Sequence, residues 1–244
     1  YKIDVIYNLA AQAGVRYSLK NPKLYNDYNI NGFFNILELS REKEIKRIFY
    51  ASSSSIYGDS KKFPLTENLS LNPKNIYALS KKINEELAQL YSGLYGIQLT
   101  GLRFFTVYGE WGRPDMFIMK YIVASLQKKI FYLNNFGNHY RDFTYIKDIN
   151  KILYLLLKAK QKKKHEVLNI CSSSPVKITS VISYLNSLMT KPKLKKIPLQ
   201  TADVIKTHGS NTKLKKIISF KKFTNINSGL LNVFNWAKKN KVKF

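Results

Sequence analysis

Short apolar runs alternate along this chain with longer segments of helical spacing. Residues 3–11 (Ile-Asp-Val-Ile-Tyr-Asn-Leu-Ala-Ala) are β-branched, mostly apolar and end in small side chains, as a strand buried on both faces of a parallel sheet requires. Arg47–Ser52 and Leu99–Phe105 read the same way, and Val167–Cys171 is a shorter case. Between them, Asn21-Pro22 opens a helical stretch that continues through Ile36, Leu37 and Leu39. The block from Tyr77 to about Tyr95 puts Leu79, Ile83, Leu87, Leu90 and Leu94 at helical spacing. Lys147–Lys160 turns Ile149, Ile152, Leu153, Leu156 and Leu157 inward, and its lysine-rich exit reads as a solvated end. Helices are also expected at Ile178–Met189 and Gly229–Lys239. Strands alternating with helices predict an α/β fold on a parallel sheet. Such sheets take ligands at the carboxyl ends of their strands. Here the first three strands run into Leu9-Ala10-Ala11, Ser52–Ser55 and Phe104-Phe105-Thr106. Residues from about Val107 to Arg141, and those after Ser172, read as a second, smaller lobe.

Composition narrows the class. The chain has 244 residues, 45% of them hydrophobic and 14% aromatic, which excludes a disordered or collagen-like polymer. No apolar run reaches the roughly 20 residues that cross a bilayer. The single cysteine, Cys171, allows no internal disulfide, reads as a packing residue and suits a reducing, cytoplasmic setting. The 41 basic residues outnumber 15 acidic ones for a net charge of +26, but only six are Arg. Nucleic-acid readout favours Arg forks, so the excess reads as a lysine-coated surface. The expectation is no nucleic-acid or membrane partner, with attraction for small anions retained. His139, His165 and His208 have no metal-ligand spacing and read as surface residues; no metal is expected.

The sharpest chemical signal is Tyr77-Ala78-Leu79-Ser80-Lys81, because residues four apart share a helix face. A phenol titrates near 10, but an adjacent ammonium favours the phenolate and makes it a usable base. The run Ala51–Gly58, with four serines at the end of a predicted buried strand, offers hydroxyls to a substrate oxygen near such a base.

Several segments come in one order: Asn8-Leu9-Ala10-Ala11, Asn29-Ile30-Asn31-Gly32, the Ser run with Tyr57-Gly58, Tyr77-x-x-x-Lys81, Arg103–Gly109 and Arg141-Asp142-Phe143. Together they resemble the extended short-chain dehydrogenase/reductase superfamily, specifically its NAD-dependent nucleotide-sugar epimerases and dehydratases. Ala10–Ser18 and Gly109–Met116 most resemble UDP-glucuronate 4-epimerases. The resemblance implies a doubly wound, Rossmann-like parallel sheet with a smaller α/β substrate-binding lobe. Residues 1–106, with about 142–172 returning, would belong to the dinucleotide-binding domain, and 107–141 with 173–244 to the lobe. Tyr77 would be the catalytic base at the sugar 4-hydroxyl, Ser53 would bond the 4-oxygen, and Lys81 would hold the nicotinamide ribose. Leu9, Ala10, Ala11, Asn29 and Phe104 would line NAD. Ser54, Ser55, Thr106, Arg113 and Arg141 would meet the UDP-sugar, Thr106 and Arg113 at a sugar carboxylate and Arg141 at the diphosphate. Related dehydratases place Asp-Glu where Ser54-Ser55 stand, so elimination of water is poorly supported. UDP-glucose 4-epimerase and, outside enzymes, an inactive fragment or basic binding module are the alternatives.

The Gly-x-x-Gly-x-x-Gly turn that cradles a pyrophosphate does not occur in these residues. By the resemblance the first strand corresponds to the family's fourth, and about 70–90 residues of such a domain lie outside this sequence. The partners considered are a UDP-sugar, a homodimer mate and a separate N-terminal fragment, and without that fragment no measurable NAD binding is expected.

Overall fold

The computed structural model describes residues 2–160, 162–200 and 203–242; Tyr1, Gln161, Thr201, Ala202, Lys243 and Phe244 lie outside the described residues. The chain begins with β1 (Val5–Asn8), α1 (Val15–Lys20), α2 (Pro22–Tyr25), a π-helical segment (Asn26–Asn31), α3 (Gly32–Glu42) and β2 (Arg47–Ser53). A 3-10 turn (Ser54–Tyr57), α4 (Ile76–Tyr95), β3 (Gln98–Phe104), β4 (Thr106–Tyr108), α5 (Phe117–Leu126) and β5 (Ile130–Asn134) follow. Then come β6 (Tyr140–Tyr145), α6 (Ile146–Lys158), β7 (His165–Ile170), β8 (Pro175–Lys177) and α7 (Ile178–Leu188). The chain continues with β9 (Lys193–Ile197), α8 (Thr212–Ile217) and α9 (Ile226–Lys239).

These elements form two units. The first comprises Tyr1–Phe105, Ala159–Ile170 and Gly209–Ile217. Its four-stranded sheet has the order β1-β2-β3-β7, every pairing parallel, as buried β-branched runs dictate. The register sets Ser52 beside Arg103 and ends the strands with Ser53, Phe104 and Ile170 in one row. Phe33, Leu37, Ile48, Tyr50, Ala88 and Leu99 pack its core. Helix α4 starts where the Asn75 side chain accepts from Ala78 N at 2.9 Å, and stops at Gly96, whose φ of 67° ends the helical path.

The second unit comprises Thr106–Lys158, Cys171–His208 and Ile218–Phe244. Strands β4 and β6 run parallel, β8 joins β6 antiparallel, and β5 pairs with β9. Its core mixes rings with aliphatic side chains: Tyr108, Tyr121, Phe131, Phe143 and Tyr145 pack with Ile118, Ile122, Val181, Leu185 and Leu230.

The structure redraws the expected returning segment 142–172. Residues 142–158 belong to the second unit, because β6 finds its partners in β4 and β8; only 159–170 return, through pairing of β7 with β3. Residues 209–217, expected in the lobe, also join the first unit, where Leu65 bridges Gly209. Helix α4 has the expected period, but its leucine stripe faces outward: Leu79, Leu90 and Leu94 are exposed, while Ser80, Lys81, Asn84, Glu85 and Ala88 are buried. His139 is buried rather than superficial, and the half-buried His165 bonds the Tyr50 hydroxyl at 3.0 Å. Cys171 is a free, buried thiol.

Candidate functional site

In the first unit the Ser run is shaped by its own hydrogen bonds. Ser53 ends β2 in extended conformation, and its Oγ accepts from Ser55 N at 3.2 Å, which starts the 3-10 turn. The turn closes at Gly58, with φ of 61°; a Cβ there would meet the Asn72 carbonyl oxygen at 2.1 Å, so no other residue fits. Ser53 is buried, and Ser54 and Ser55 are half-buried. Ser52 turns the other way and donates to Glu85 Oε1 at 2.6 Å.

Tyr77 lies in the first turn of α4, half-exposed, its ring edge-on to Tyr25 with centroids 6.2 Å apart. Tyr25 is fully buried, and its hydroxyl donates to the Gly14 carbonyl at 2.7 Å. It forms a rigid wall for Tyr77. Lys81, one turn on, is 3% exposed. Burial pulls its ammonium down to about 8, and no hydrogen-bond or ion-pair partner reaches it among the described residues. A buried cation without a protein partner is suited to hydroxyls or a phenolate supplied at its side.

Asn29 is buried, and its amide is fully committed. Its Oδ1 accepts from Gln12 N at 2.8 Å, while Nδ2 donates to Gln12 O and Ser80 Oγ, each at 3.0 Å. It thus clamps the loop after β1 to α4, and Ser80 Oγ passes the contact to the Tyr77 carbonyl at 2.8 Å. Leu9, Ala10 and Ala11 lie exposed on that loop, and Phe104 is half-buried at the end of β3.

In the second unit Thr106 and Arg113 line one small pocket with Tyr108, Met116 and Phe143. The Arg113 guanidinium already grips a carboxylate, with Nε donating to Asp115 Oδ1 at 3.0 Å and Nη2 to Oδ2 at 2.5 Å. Beside it, Glu110 accepts from the Tyr145 hydroxyl at 2.7 Å. Arg141 Nη1 donates to the carbonyls of Tyr140 and Ile205 at 2.9 and 3.0 Å.

Tyr25, Ser80, Asn84 and Glu85 are site neighbours that the sequence reading did not single out. Glu85 was legible in one respect, as it stands four residues after Lys81 on the same helix. Among the described residues no group of three His, Cys, Asp or Glu could hold a metal, and no helix is long and apolar enough to cross a membrane.

Residues 1–171 match the NAD dependent epimerase/dehydratase family. An uncharacterized protein of Methanocaldococcus jannaschii is 42% identical over 242 residues, which are 98% of this chain and 74% of that one. UDP-glucuronate 4-epimerase 2 of Arabidopsis thaliana is 39% identical over 95% of this chain and 57% of its own. The crystal structure of UDP-glucuronic acid 4-epimerase from Bacillus cereus, in complex with UDP-glucuronic acid and NAD, superposes with a TM-score of 0.91 at 28% identity. That match covers 98% of this chain and 76% of the other.

Proposed function

The chain belongs to the NAD-dependent epimerase/dehydratase family, and on that premise we propose that it inverts C4 of a UDP-sugar, foremost UDP-glucuronate, through a transient 4-ketone. The observation that carries this reading is Tyr77 and Lys81 one helical turn apart, with the ammonium buried and unshared. NAD, when bound, supplies the acceptor and then the donor of the C4 hydride. The chain's residues fit it at the nicotinamide end, where Lys81 offers donors to ribose hydroxyls and Leu9, Ala10, Ala11, Asn29 and Phe104 line the approach.

Tyr77 Oη takes the proton of the sugar 4-hydroxyl and later returns it. The Lys81 charge favours the phenolate that this requires. Ser53 Oγ donates to the 4-oxygen, with Ser54 and Ser55 as its neighbours for the same face of the sugar. Arg141 meets the diphosphate. UDP-glucuronate is preferred over UDP-glucose because Thr106 and Arg113 line one pocket, and the exposed Arg113 guanidinium would exchange its neighbour Asp115 for the sugar carboxylate, which it would bind by two parallel bonds. Ser54 and Ser55 supply no carboxyl acid or base, so loss of water is not favoured.

The experiment is conversion of UDP-glucuronate to UDP-galacturonate with added NAD. Tyr77→Phe should lower kcat by about 10²–10⁴-fold while the protein stays folded. Equal turnover by that variant, or a product that has lost water, sinks the reading. Arg113→Ala should weaken the charged sugar far more than UDP-glucose; equal losses would favour the neutral substrate.

A further inference from the structure

Inside the first unit, Arg103 and Glu85 form an ion pair that takes no part in the proton transfer proposed above. Arg103 Nε and Nη2 donate to the two Glu85 oxygens at 2.9 and 2.7 Å, with side chains only 4% and 8% exposed. Ser52 adds its hydroxyl to the oxygen that accepts from Nε. The remaining Arg103 nitrogen, Nη1, donates to the Tyr57 hydroxyl at 2.8 Å and the Glu67 carbonyl at 3.2 Å. Tyr57 in turn donates to Asn169 Oδ1 at 2.7 Å. Burial works against the Arg103 charge, but the hydrogen bonds and field of Glu85 outweigh it and hold the guanidinium above its usual range.

Glu85 also stands four residues beyond Lys81 on α4, the spacing at which lysine and glutamate pair across one helical turn. They do not pair here. Burial pulls the Lys81 ammonium down, and no ion pair involves it among the described residues. A Lys81–Glu85 pair would be neutral. It would surrender both the positive field on the Tyr77 phenol and the donors left for a ribose.

We propose that Arg103 captures Glu85 and thereby keeps Lys81 an unshared cation, which makes Arg103 and Glu85 positioning residues for the Tyr77–Lys81 pair. This rests on the assignment of that pair to the proton transfer. The ion pair serves a second end through Ser52: it ties the last residues of β2 to the helix that carries the phenol, so the Ser run and Tyr77 hold a common register.

The test follows the titration of Lys81 by NMR in the full chain with ¹³C-labelled lysine, its resonance identified by its loss in Lys81→Arg. Neither cofactor nor turnover enters the readout, so it stands or falls separately from the epimerisation assay. Arg103→Met frees the carboxylate, and the Lys81 midpoint should rise by about 1 pH unit. Glu85→Gln leaves the Arg103 charge unbalanced, and the midpoint should fall below about 8. The double variant Arg103→Met/Glu85→Gln, which buries no lone charge, should return it to the wild-type value. A core merely loosened to water would raise the midpoint in all three, and that result, or no movement in any, overturns the proposal. Should Arg103→Met not fold, Glu85→Gln decides by sign: a fall supports the capture and a rise refutes it.

Discussion

The interiors of the two units both pack rings and aliphatic side chains but differ in their buried polar groups. At the carboxyl end of its sheet the first buries Ser52, Ser53, Lys81, Asn84, Glu85, Arg103 and Asn169. The second packs rings among aliphatic side chains, with Phe117, Tyr121 and Phe131 meeting mostly edge to face at centroid separations of 5.0 to 6.2 Å, and its buried carboxylates Asp142 and Asp148 accept from hydroxyls and backbone N–H groups. Hydrogen-bonded charges hold directions and distances, whereas packed rings hold volume. The proposed proton transfer requires residues 53, 77 and 81 at fixed angles, and the hydrogen bonds of Ser52, Glu85 and Arg103 hold the strand and helix that carry them. The packed apolar interior of the second unit includes Tyr108 and Phe143, which line the pocket of Thr106 and Arg113.

The difference can be broken or sharpened by substitution. Arg103→Met and Phe131→Ala should each cost about 3–5 kcal/mol in denaturant unfolding, the first by leaving a buried charge alone and the second by opening a cavity. Adding Glu85→Gln to Arg103→Met should recover most of the loss, because the cost lies in the unpaired partner rather than in missing volume. If the double variant is no more stable than the single, the two interiors do not differ in the way described.

Next in size is Lys81. Its ammonium is held at about 8 in the fold against an ordinary value of 10.5, so between these values the unfolded chain binds more protons. Stability therefore rises with pH across that window, and the full penalty, about 3 kcal/mol at most, applies below it. Lys81→Met should be more stable than wild type at neutral pH, should lose the alkaline rise, and should lose turnover. A variant no more stable at neutral pH would mean that Lys81 carries no burial cost. The smallest effect concerns the helix start: Asn75→Ala removes the cap of α4 and should cost about 1 kcal/mol, read as a lower melting temperature with the site chemistry intact.

Much of this was legible before any coordinates. The alternation of apolar runs and helical spacing located the four strands of the first sheet to within a few residues and five helical stretches. The spacing of Tyr77 and Lys81 placed them on one face of α4. Other features were not legible. The leucines at 79, 90 and 94 suggested the packing face, yet the side that meets the sheet is the small and polar one. A helix that carries site chemistry on its inner face must leave its apolar residues elsewhere. The hydrogen bonds by which Asn29 holds Gln12 and Ser80, and so ties the loop after β1 to α4, could not be read from spacing along the chain. Segment 142–158 read as a return to the first sheet, but β6 found its hydrogen bonds in β4 and β8.

Sequence alone determined what depends on neighbours along the chain: the period of the main elements and which residues share a helical face. Covalent geometry repeats every few residues, so these follow from local order. The tertiary structure decided which face of α4 is buried, which partner Glu85 takes, and why Lys81 is left alone. Those outcomes are competitions between groups far apart in sequence, Arg103 against Lys81 for one carboxylate, and folding settles them by bringing the stronger, bidentate donor within reach of Glu85 in a place water does not enter.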